Sequence, residues 1–246
     1  MLNWVYNQIY LSKKDFPKFK ELLVVEGEVD FNKLIPMPKE LNIESGAYTY
    51  YETDTLKDVI LKCLRERVGL KEMPNEQFIE VLFKNEHFRN IIKGYHNTLK
   101  YGSKDWYDWC YNMWGTKWNA HDSEIGEDFI AFQTAWEEPY GIYAELGKHI
   151  DFKVKYEDEC LGCNFGAYEY KNGKKIDIVV YNDRDKETTN IGKGYAISGC
   201  TEAELDEYLK DLKENNNLTD EELEQARKEV YGAFNDTIKV MEEHGI

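Results

Sequence analysis

Hydrophobic positions in the first 35 residues predict a strand, a helix and a second strand. Residues 4–11 combine β-branched and aromatic side chains in a pattern typical of strands. Asp15 is placed to cap the following helix, and Pro17 suits its first turn. Residues 28–35 read as a second extended segment, which Pro36 and Pro38 bring to an end. The chain therefore opens with a β-α-β pattern.

A long helical stretch is predicted to interrupt the strand pattern. Apolar residues recur at helical spacing over residues 56–64, and Gly69 follows as a helix-ending residue. A second helix carries Phe78, Leu82 and Phe83 on one face and is predicted to run towards Gly94. We interpret about residues 52–120 as a helical insertion.

Strand patterns return after the insertion. Residues 129–136 and 152–156 are predicted strands, with a helix after Pro139 between them. Asn172 and Gly173 supply the positive φ angles of a two-residue turn, so residues 165–170 and 176–181 should form a hairpin. Without the insertion, this order predicts an α+β fold with a ferredoxin-like split β-α-β sheet, its body spanning residues 1–200.

Residues 201–246 are predicted to form a helical hairpin. Thr201 with Glu204, and Thr219 with Glu222, both have the capping-box spacing that marks a helix start. Apolar stripes follow each box, and residues 214–217 form the natural turn between the two helices.

The acidic charge of the chain is concentrated in this hairpin. The 31 Lys and Arg residues against 47 Asp and Glu residues give a net charge of −16. Residues 202–246 hold 14 acidic and 5 basic residues, a net of −9, which leaves −7 for the preceding 201 residues. Such a balance opposes general binding to nucleic-acid backbones and to anionic membranes. The hairpin is either a solvated surface packed on the body or an acidic surface that meets a basic partner.

The chain shows no targeting or membrane pattern. No run of 18 apolar residues occurs, and the first residues lack the basic flank and apolar run of a secretory signal. We therefore expect a cytoplasmic protein. Five cysteines at irregular spacing fit reduced thiols better than a disulfide framework.

A tryptophan-rich segment is the strongest candidate for a binding site. Residues 101–118 hold seven aromatic residues, including four of the six tryptophans, and residues 84–118 carry six basic but only three acidic residues. Aromatic faces beside lysines can stack a planar ring and hold a phosphate. The alternative is a core helix that buries at least half of these aromatics. The candidate ligand-binding residues are Lys104, Trp106, Trp109, Trp114, Lys117, Trp118, Asn119 and Trp136.

Catalytic and metal-binding patterns are weak. Cys160 and Cys163 form an isolated pair after acidic residues, which favours a strand-end turn over a redox or zinc motif. A metal-dependent hydrolase would have to use Glu157, Asp158, Glu159 and His121. The glycines of Gly192-Lys193-Gly194 match no phosphate-binding loop. We predict no catalytic residues, no metal and no cofactor, which favours a binding protein over an enzyme.

Several sequence blocks resemble a known family. They are Asn3-Trp4, Pro36-Met37-Pro38, residues 106–110, residues 114–120 and Thr134-Ala135-Trp136. Together they resemble the YubB-type (Api92-like) ferredoxin-like domain family of bacteriophages and plasmids. The resemblance runs to about the Asn172-Gly173 turn and leaves the acidic hairpin outside. It implies a ferredoxin-like fold without an iron–sulfur cluster and a mobile-element origin. For a phage-encoded protein, the expected compartment is the host cytoplasm.

Composition, segment and resemblance together predict a non-enzymatic counter-defence protein that sequesters a small nucleotide-like signal. In this hypothesis Trp114, Trp118 and Trp136 stack the ring, while Lys104 and Lys117 contact anionic groups. The alternative is an acidic inhibitor, a possible nucleic-acid mimic, that blocks a basic host defence protein.

Overall fold

A computed structural model describes residues 3–46, 55, 77, 84, 86–127 and 129–246. The chain divides into two compact units, one of Met1–Leu34 with Gly115–Ile246 and the other of Ile35–Trp114. The second unit overlaps the predicted insertion of about residues 52–120. The predicted helix over residues 56–64, its ending at Gly69 and the residues Phe78, Leu82 and Phe83 lie outside the described residues.

The unit that contains both chain ends is built on a six-stranded sheet in which all neighbouring strands are antiparallel. In spatial order its strands are β4 (His121–Ile125), β5 (Phe129–Ala135), β1 (Trp4–Tyr10), β6 (Phe152–Asp158), β7 (Phe165–Lys171) and β8 (Lys174–Val180). A helix, α5 (Tyr140–Leu146), connects β5 to β6, and β1 lies between these two strands. This arrangement confirms the predicted split β-α-β.

One face of the sheet is covered and contributes to a hydrophobic core, which we call the closed core. Val5 and Ile9 of β1 are fully buried there, and Tyr143 of α5 packs against Phe132 and Phe152 on the neighbouring strands. The buried side chain of Asn7 on this face makes three hydrogen bonds. Tyr143 Oη donates to Asn7 Oδ1 (2.9 Å), and Asn7 Nδ2 donates to Thr134 Oγ1 (2.9 Å) and to the Val5 carbonyl. Burial raises the pKa of Tyr143, so its hydroxyl stays protonated as the donor.

Three C-terminal helices cover β7 and β8 on the opposite face of the sheet. They are α6 (Glu187–Ser198), α7 (Glu202–Asn216) and α8 (Asp220–His244). Both capping boxes are present, at Thr201 with Glu204 and at Thr219 with Glu222, which confirms the predicted helical hairpin. Apolar residues from all three helices and both strands form one core: Phe165, Ala167, Val179, Ile191, Ala196, Ile197, Leu205, Leu209, Val230, Phe234 and Met241.

A glycine lets α8 lie directly on α6. A Cβ atom at Gly192 would stand 2.3 Å from the carbonyl oxygen of Val230 and 3.0 Å from Ala233 Cβ. Because such distances are shorter than van der Waals contact, only glycine permits this crossing. Gly194, on the same helix, approaches the β6–β7 turn just as closely, since its Cβ would lie 2.4 Å from the Gly162 backbone nitrogen.

The predicted strand over residues 28–35 is wrong. Only Glu28–Val29 is extended, as β3, and it pairs with β2 (Val24–Val25) in a separate two-stranded sheet. The next residues form a short helix, α2 (Phe31–Leu34), because Asp30 Oδ1 accepts a hydrogen bond from the Asn32 backbone nitrogen (2.9 Å). Asp15, predicted to cap α1 (Phe16–Leu23), stands at the cap position, but its carboxylate accepts from Ser12 Oγ instead.

The β7–β8 hairpin agrees with the prediction. Asn172 and Gly173 have φ angles of 52° and 75°, as a two-residue turn between right-twisted strands requires. β4 and α6 have no counterpart in the sequence-based prediction.

The second unit, described by itself, contains α3 (Glu86–Tyr101), α4 (Trp106–Met113) and a short 3₁₀ helix (Lys39–Leu41). Asp105 caps α4, since its Oδ1 accepts from the Asp108 backbone nitrogen (3.1 Å). The buried Asn97 amide donates to the carbonyls of Glu40 and Lys104 and so ties α3 to both neighbouring segments. None of the helices in the described part of the chain is long and apolar enough to cross a membrane.

The turn between β6 and β7 contains a disulfide bond. Cys160 and Cys163 are bonded, and the Cys163 backbone nitrogen also donates to the Cys160 carbonyl (2.9 Å). The strand-end turn agrees with the prediction, but the expectation of reduced thiols is wrong for this pair. Cys110 and Cys200 are free, and burial raises the pKa of Cys110 to about 12, so its thiol is unreactive at neutral pH.

Alkylation tests the disulfide directly. When the protein is unfolded without reductant and treated with iodoacetamide, we expect the peptide that contains Cys160 and Cys163 to remain unlabelled. It should take two labels only after reduction. Cys110 and Cys200 serve as internal controls, because both should be labelled in either sample. Full labelling of the Cys160–Cys163 peptide before reduction, measured by mass spectrometry, would contradict the bond.

Candidate functional site

Part of the sheet face opposite the closed core is open and polar. Side chains alternate along β1, so Trp4, Tyr6 and Gln8 lie on the face opposite to that of Val5 and Ile9. The strand register places Gln133 of β5 beside Tyr6. On the other side of β1 the register sets Glu157 opposite Tyr6 and Lys155 opposite Gln8.

A cavity of about 260 Å³ lies on this open face. Its polar wall consists mainly of strand residues, and the end of α6 closes one side. The residues that define it are Tyr6, Gln8, Gln133, Lys155, Glu157 and Ser198. Asp122 and Glu124 of β4 add two further carboxylates to the lining.

Burial sets the protonation behaviour of Glu157 and Lys155 on β6. Desolvation raises the pKa of Glu157, although the Ser198 hydroxyl and the Lys155 ammonium oppose the shift. Desolvation lowers the pKa of Lys155, whose ammonium donates to the Ile197 carbonyl at the end of α6 (3.0 Å). Glu157 Oε2 is buried and accepts no hydrogen bond from any residue that the structure describes. The cavity wall thus contains a carboxylate oxygen that can still take a donor.

A cluster of aromatic residues lies at the Trp4 end of the same face. We call it the tryptophan cluster and define it as Trp4, Lys117, Trp118, His121 and Trp136. The Lys117 ammonium stands over two indole rings, 4.4 Å from the centroid of Trp118 and 4.5 Å from that of Trp136. The Trp4 ring lies 6.3 Å from Trp118 and 5.2 Å from His121. Trp118 is 38% exposed, so the cluster is open to solvent.

Local backbone contacts hold the tryptophan cluster in place. Thr116 is fully buried and its hydroxyl donates to the Ala135 carbonyl at the end of β5 (2.8 Å). Trp136 follows with a φ of 72°, which is rare for a residue with a bulky side chain, and its nitrogen donates to the Asn3 carbonyl (2.9 Å). Such strained conformations persist where the surroundings enforce them, and they concentrate at binding sites.

The eight candidate ligand-binding residues fall into both units. Lys117, Trp118 and Trp136 are brought together in the tryptophan cluster. Trp109 and Trp114 are only 5% and 3% exposed, pack edge to face with centroids 5.4 Å apart, and are therefore core residues whose rings no ligand reaches in this structure. For these two tryptophans the alternative prediction, burial in a core, is the one that the structure shows. Trp114 Nε1 also donates to the Ile35 carbonyl (3.0 Å).

The remaining candidates make internal contacts. Lys104 pairs with Asp108 (3.4 Å), and Trp106 packs edge to face on Tyr107. Asn119 is a structural residue: its Oδ1 accepts from the backbone nitrogens of Phe31 and Ala120, and its Nδ2 donates to Asp30 Oδ1 (2.7 Å). This amide holds α2 against the start of β4.

The sequence-based list of candidate site residues does not include four residues of the open face: Trp4, Tyr6, Gln8 and Gln133. The signal lies in β1, where Trp4, Tyr6 and Gln8 alternate with Val5, Asn7 and Ile9. This alternation by itself distinguishes one apolar face from one more polar face. What it does not reveal is which half of the polar face the C-terminal helices leave open.

The carboxylates proposed for a metal-dependent hydrolase do not converge. Glu157 lines the cavity, whereas Asp158 is buried in the β6–β7 turn and its Oδ1 accepts from the Cys160 nitrogen (2.8 Å). Glu159 Oε1 accepts from the Trp4 nitrogen (3.0 Å). His121 lies at the start of β4 and contacts Asp122 (3.0 Å). Among the described residues, no group of three or more His, Cys, Asp or Glu side chains could hold a metal ion.

The fold and the open face define an α+β domain of ferredoxin-like type with an exposed aromatic and polar surface. Comparison with protein families agrees with this class. Residues 113–231 match the model of the ferredoxin-like domain in Api92-like proteins. Residues 113–231 therefore match the ferredoxin-like domain of the family that the sequence blocks resemble. No curated protein and no solved structure matches the chain significantly.

The matched range corrects one expectation. The sequence blocks predict that the resemblance ends near the Asn172-Gly173 turn, but the family match continues to residue 231 and includes α6, α7 and the first half of α8. The shared core explains why: α6, α7 and α8 cover β7 and β8 and are packed as part of the domain. Residues 201–231 of the acidic hairpin therefore lie inside the family region.

Proposed function

We propose that the protein is a non-enzymatic binding protein of a bacteriophage or related mobile element, which captures a small nucleotide-like molecule on its open sheet face. Removing such a signal from the host cytoplasm would blunt a host defence process. The observation that carries the proposal is the tryptophan cluster, where an exposed indole and a lysine ammonium lie together.

The geometry of the cluster suits a planar, anionic ligand. Indole faces stack planar rings, and base–aromatic stacking contributes about 1–3 kcal/mol for each base. The Lys117 ammonium stands over both Trp118 and Trp136, so it occupies the position that a ring would take between or beside them. A ligand that displaces this ammonium would gain the two aromatic faces and leave Lys117 beside its phosphate.

Calorimetry with a panel of cyclic nucleotides and ADP-ribose derivatives tests the proposal. We expect saturable binding of at least one compound, and we expect the Trp118→Ala variant to bind it roughly 5- to 100-fold more weakly because one stacking face is lost. Lys117→Gln should weaken binding as well and should reduce its dependence on salt concentration.

Trp106→Ala provides the matched control for Trp118→Ala. Trp106 is also a partly exposed tryptophan, but it packs on Tyr107 and is not part of the tryptophan cluster, so its loss should leave the affinity unchanged. Absence of binding to every compound, with circular dichroism showing folded protein, would refute a nucleotide-like ligand. Equal losses in both variants would refute the tryptophan cluster as its site.

The surface of α7 and α8 supports a second candidate function, an acidic inhibitor of a basic host protein. Of the 14 acidic side chains in residues 202–246, all except Glu229 are exposed. Three of them form ion pairs with basic residues of the same helices: Asp206 with Arg227, Asp220 with Lys213, and Glu224 with Lys228. The others give the helices a concentrated negative surface that would speed encounter with a positive one.

Charge neutralisation separates the two functions better than truncation does. Deleting residues 202–246 would remove Leu205, Val230 and Phe234 from the shared core and unfold the domain. Neutralising exposed acids instead, with Glu207→Gln, Asp211→Asn, Glu214→Gln and Glu221→Gln, keeps that core. Loss of biological activity in this variant, with nucleotide binding retained, would favour the acidic surface.

A further inference from the structure

The cavity on the open sheet face differs in charge from the tryptophan cluster. Its acidic and basic lining residues are Asp122, Glu124 and Glu157 against the single Lys155. The C-terminal end of α6, with Ile197 and Ser198, forms another wall, and the C-terminal end of a helix carries a partial negative charge. The negative charge of this cavity disfavours an anionic ligand, whereas the positive charge of Lys117 favours one in the tryptophan cluster.

We propose that this cavity binds an organic cation of the guanidinium class. This inference goes beyond the nucleotide-like ligand of the tryptophan cluster and does not depend on it. The ligand is either a free guanidinium compound or the side chain of an arginine in a partner protein. Both present the same planar group with its row of N–H donors.

The position of Glu157 supports a ligand that donates hydrogen bonds. Its Oε2 is buried without a hydrogen-bond partner among the described residues, and leaving such an oxygen unpaired is costly. Lys155 does not satisfy it, because the Lys155 ammonium donates to the Ile197 carbonyl instead. A guanidinium can reach a carboxylate with two parallel N–H donors, which is the strongest pairing available to this group.

The aromatic and amide residues of the cavity distinguish a guanidinium from a simple metal ion. Tyr6 lies directly opposite Glu157 in the strand register and is 45% exposed, so its ring is open to a flat cation. Gln8 and Gln133 add amide oxygens that accept the remaining N–H groups. A volume of about 260 Å³ admits a guanidinium with a short alkyl chain, whereas a bare divalent ion would leave most of it empty.

Calorimetric titration with two probes tests the proposal on the full-length protein. Agmatine represents a free guanidinium compound, and the peptide Gly-Arg-Gly with blocked ends represents an arginine in a protein. We expect at least one probe to bind, and we expect Glu157→Gln to weaken that binding at least tenfold. Lys155→Met should strengthen it, because the variant removes a positive charge from the cavity wall that repels the cation.

The controls separate this site from the tryptophan cluster. Trp118→Ala should leave the affinity for either probe unchanged, and Glu145→Gln, at a surface position on α5, should do the same. Stronger binding of agmatine assigns the cavity to a small molecule, and stronger binding of the peptide assigns it to a protein partner. No saturable binding of either probe, or equal binding by wild type and Glu157→Gln, overturns the proposal. Nucleotide titrations report on the proposed function separately.

Discussion

Replacing Gly192 with alanine is expected to destabilise the protein by about 2 kcal/mol, although alanine is the better helix former. The added Cβ would stand 2.3 Å from the Val230 carbonyl oxygen, and backbone on both helices must move to accept it. Overpacking of this kind typically costs about 1–3 kcal/mol. Because α6 and α8 share the core with β7 and β8, any separation of the two helices also loosens Val230 and Phe234.

Gly232→Ala is the matched control, since it makes the same chemical change on α8. No atom lies within 4 Å of a Cβ built at Gly232, and the residue is exposed. We expect this variant to stabilise the protein by roughly 0.5–1 kcal/mol, the helix-propensity difference between glycine and alanine. Urea unfolding of both variants measures the two effects, and a Gly192→Ala protein as stable as wild type would contradict the close crossing of α6 and α8.

Local signals in the sequence are sufficient wherever a few neighbouring residues determine the structure. The two capping boxes predict helix starts because a threonine hydroxyl and a glutamate three residues later satisfy backbone donors within one turn. Asn172-Gly173 predicts its hairpin because these residues tolerate positive φ. The split β-α-β order follows from such signals, with no need to know which distant residues are in contact.

Elements fixed by distant contacts could not be predicted in this way. Helix α6 was missed because its sequence, with Gly192 and Gly194, is poor in helix-forming residues and shows no single apolar stripe. Each glycine is explained only by the element that approaches it, α8 in one case and the β6–β7 turn in the other. Tertiary packing, not local propensity, makes this segment a helix.

The same distinction between local signals and distant contacts applies to the candidate site. The high density of tryptophan makes residues 101–118 stand out, but Trp109 and Trp114 fill the core of their own unit. The residues that meet on the open face, Trp4, Trp118 and Trp136, include pairs separated by more than a hundred positions in sequence and come together through the pairing of β1 with β5 and of β5 with β4. The composition identifies tryptophan as the residue type of the candidate site, and the strand register determines which tryptophans lie on the open face.

The stability of the protein is expected to fall as the pH rises from 4.5 to 7, because Glu138 is partly buried just before the start of α5. Desolvation raises the pKa of this carboxyl to about 7, with Glu137 adding to the shift and Lys175 opposing it. The folded chain therefore holds a proton in this window that the unfolded chain has released. By linkage, the shift of about 2.5 pKa units corresponds to a loss of at most about 3 kcal/mol between the two pH values.

Glu138→Gln should abolish this part of the pH dependence, because glutamine is uncharged at every pH. We expect the variant to have nearly wild-type stability at pH 4.5 and to be more stable than wild type by up to about 3 kcal/mol at pH 8. Glu145→Gln, on the helix that follows Glu138 but paired with Lys148 at the surface, should follow the wild-type curve. Urea unfolding at a series of pH values gives all three curves. A constant difference between wild type and Glu138→Gln across that range would show that Glu138 does not titrate near neutral pH, and would place the origin of the difference in packing, not in the buried charge.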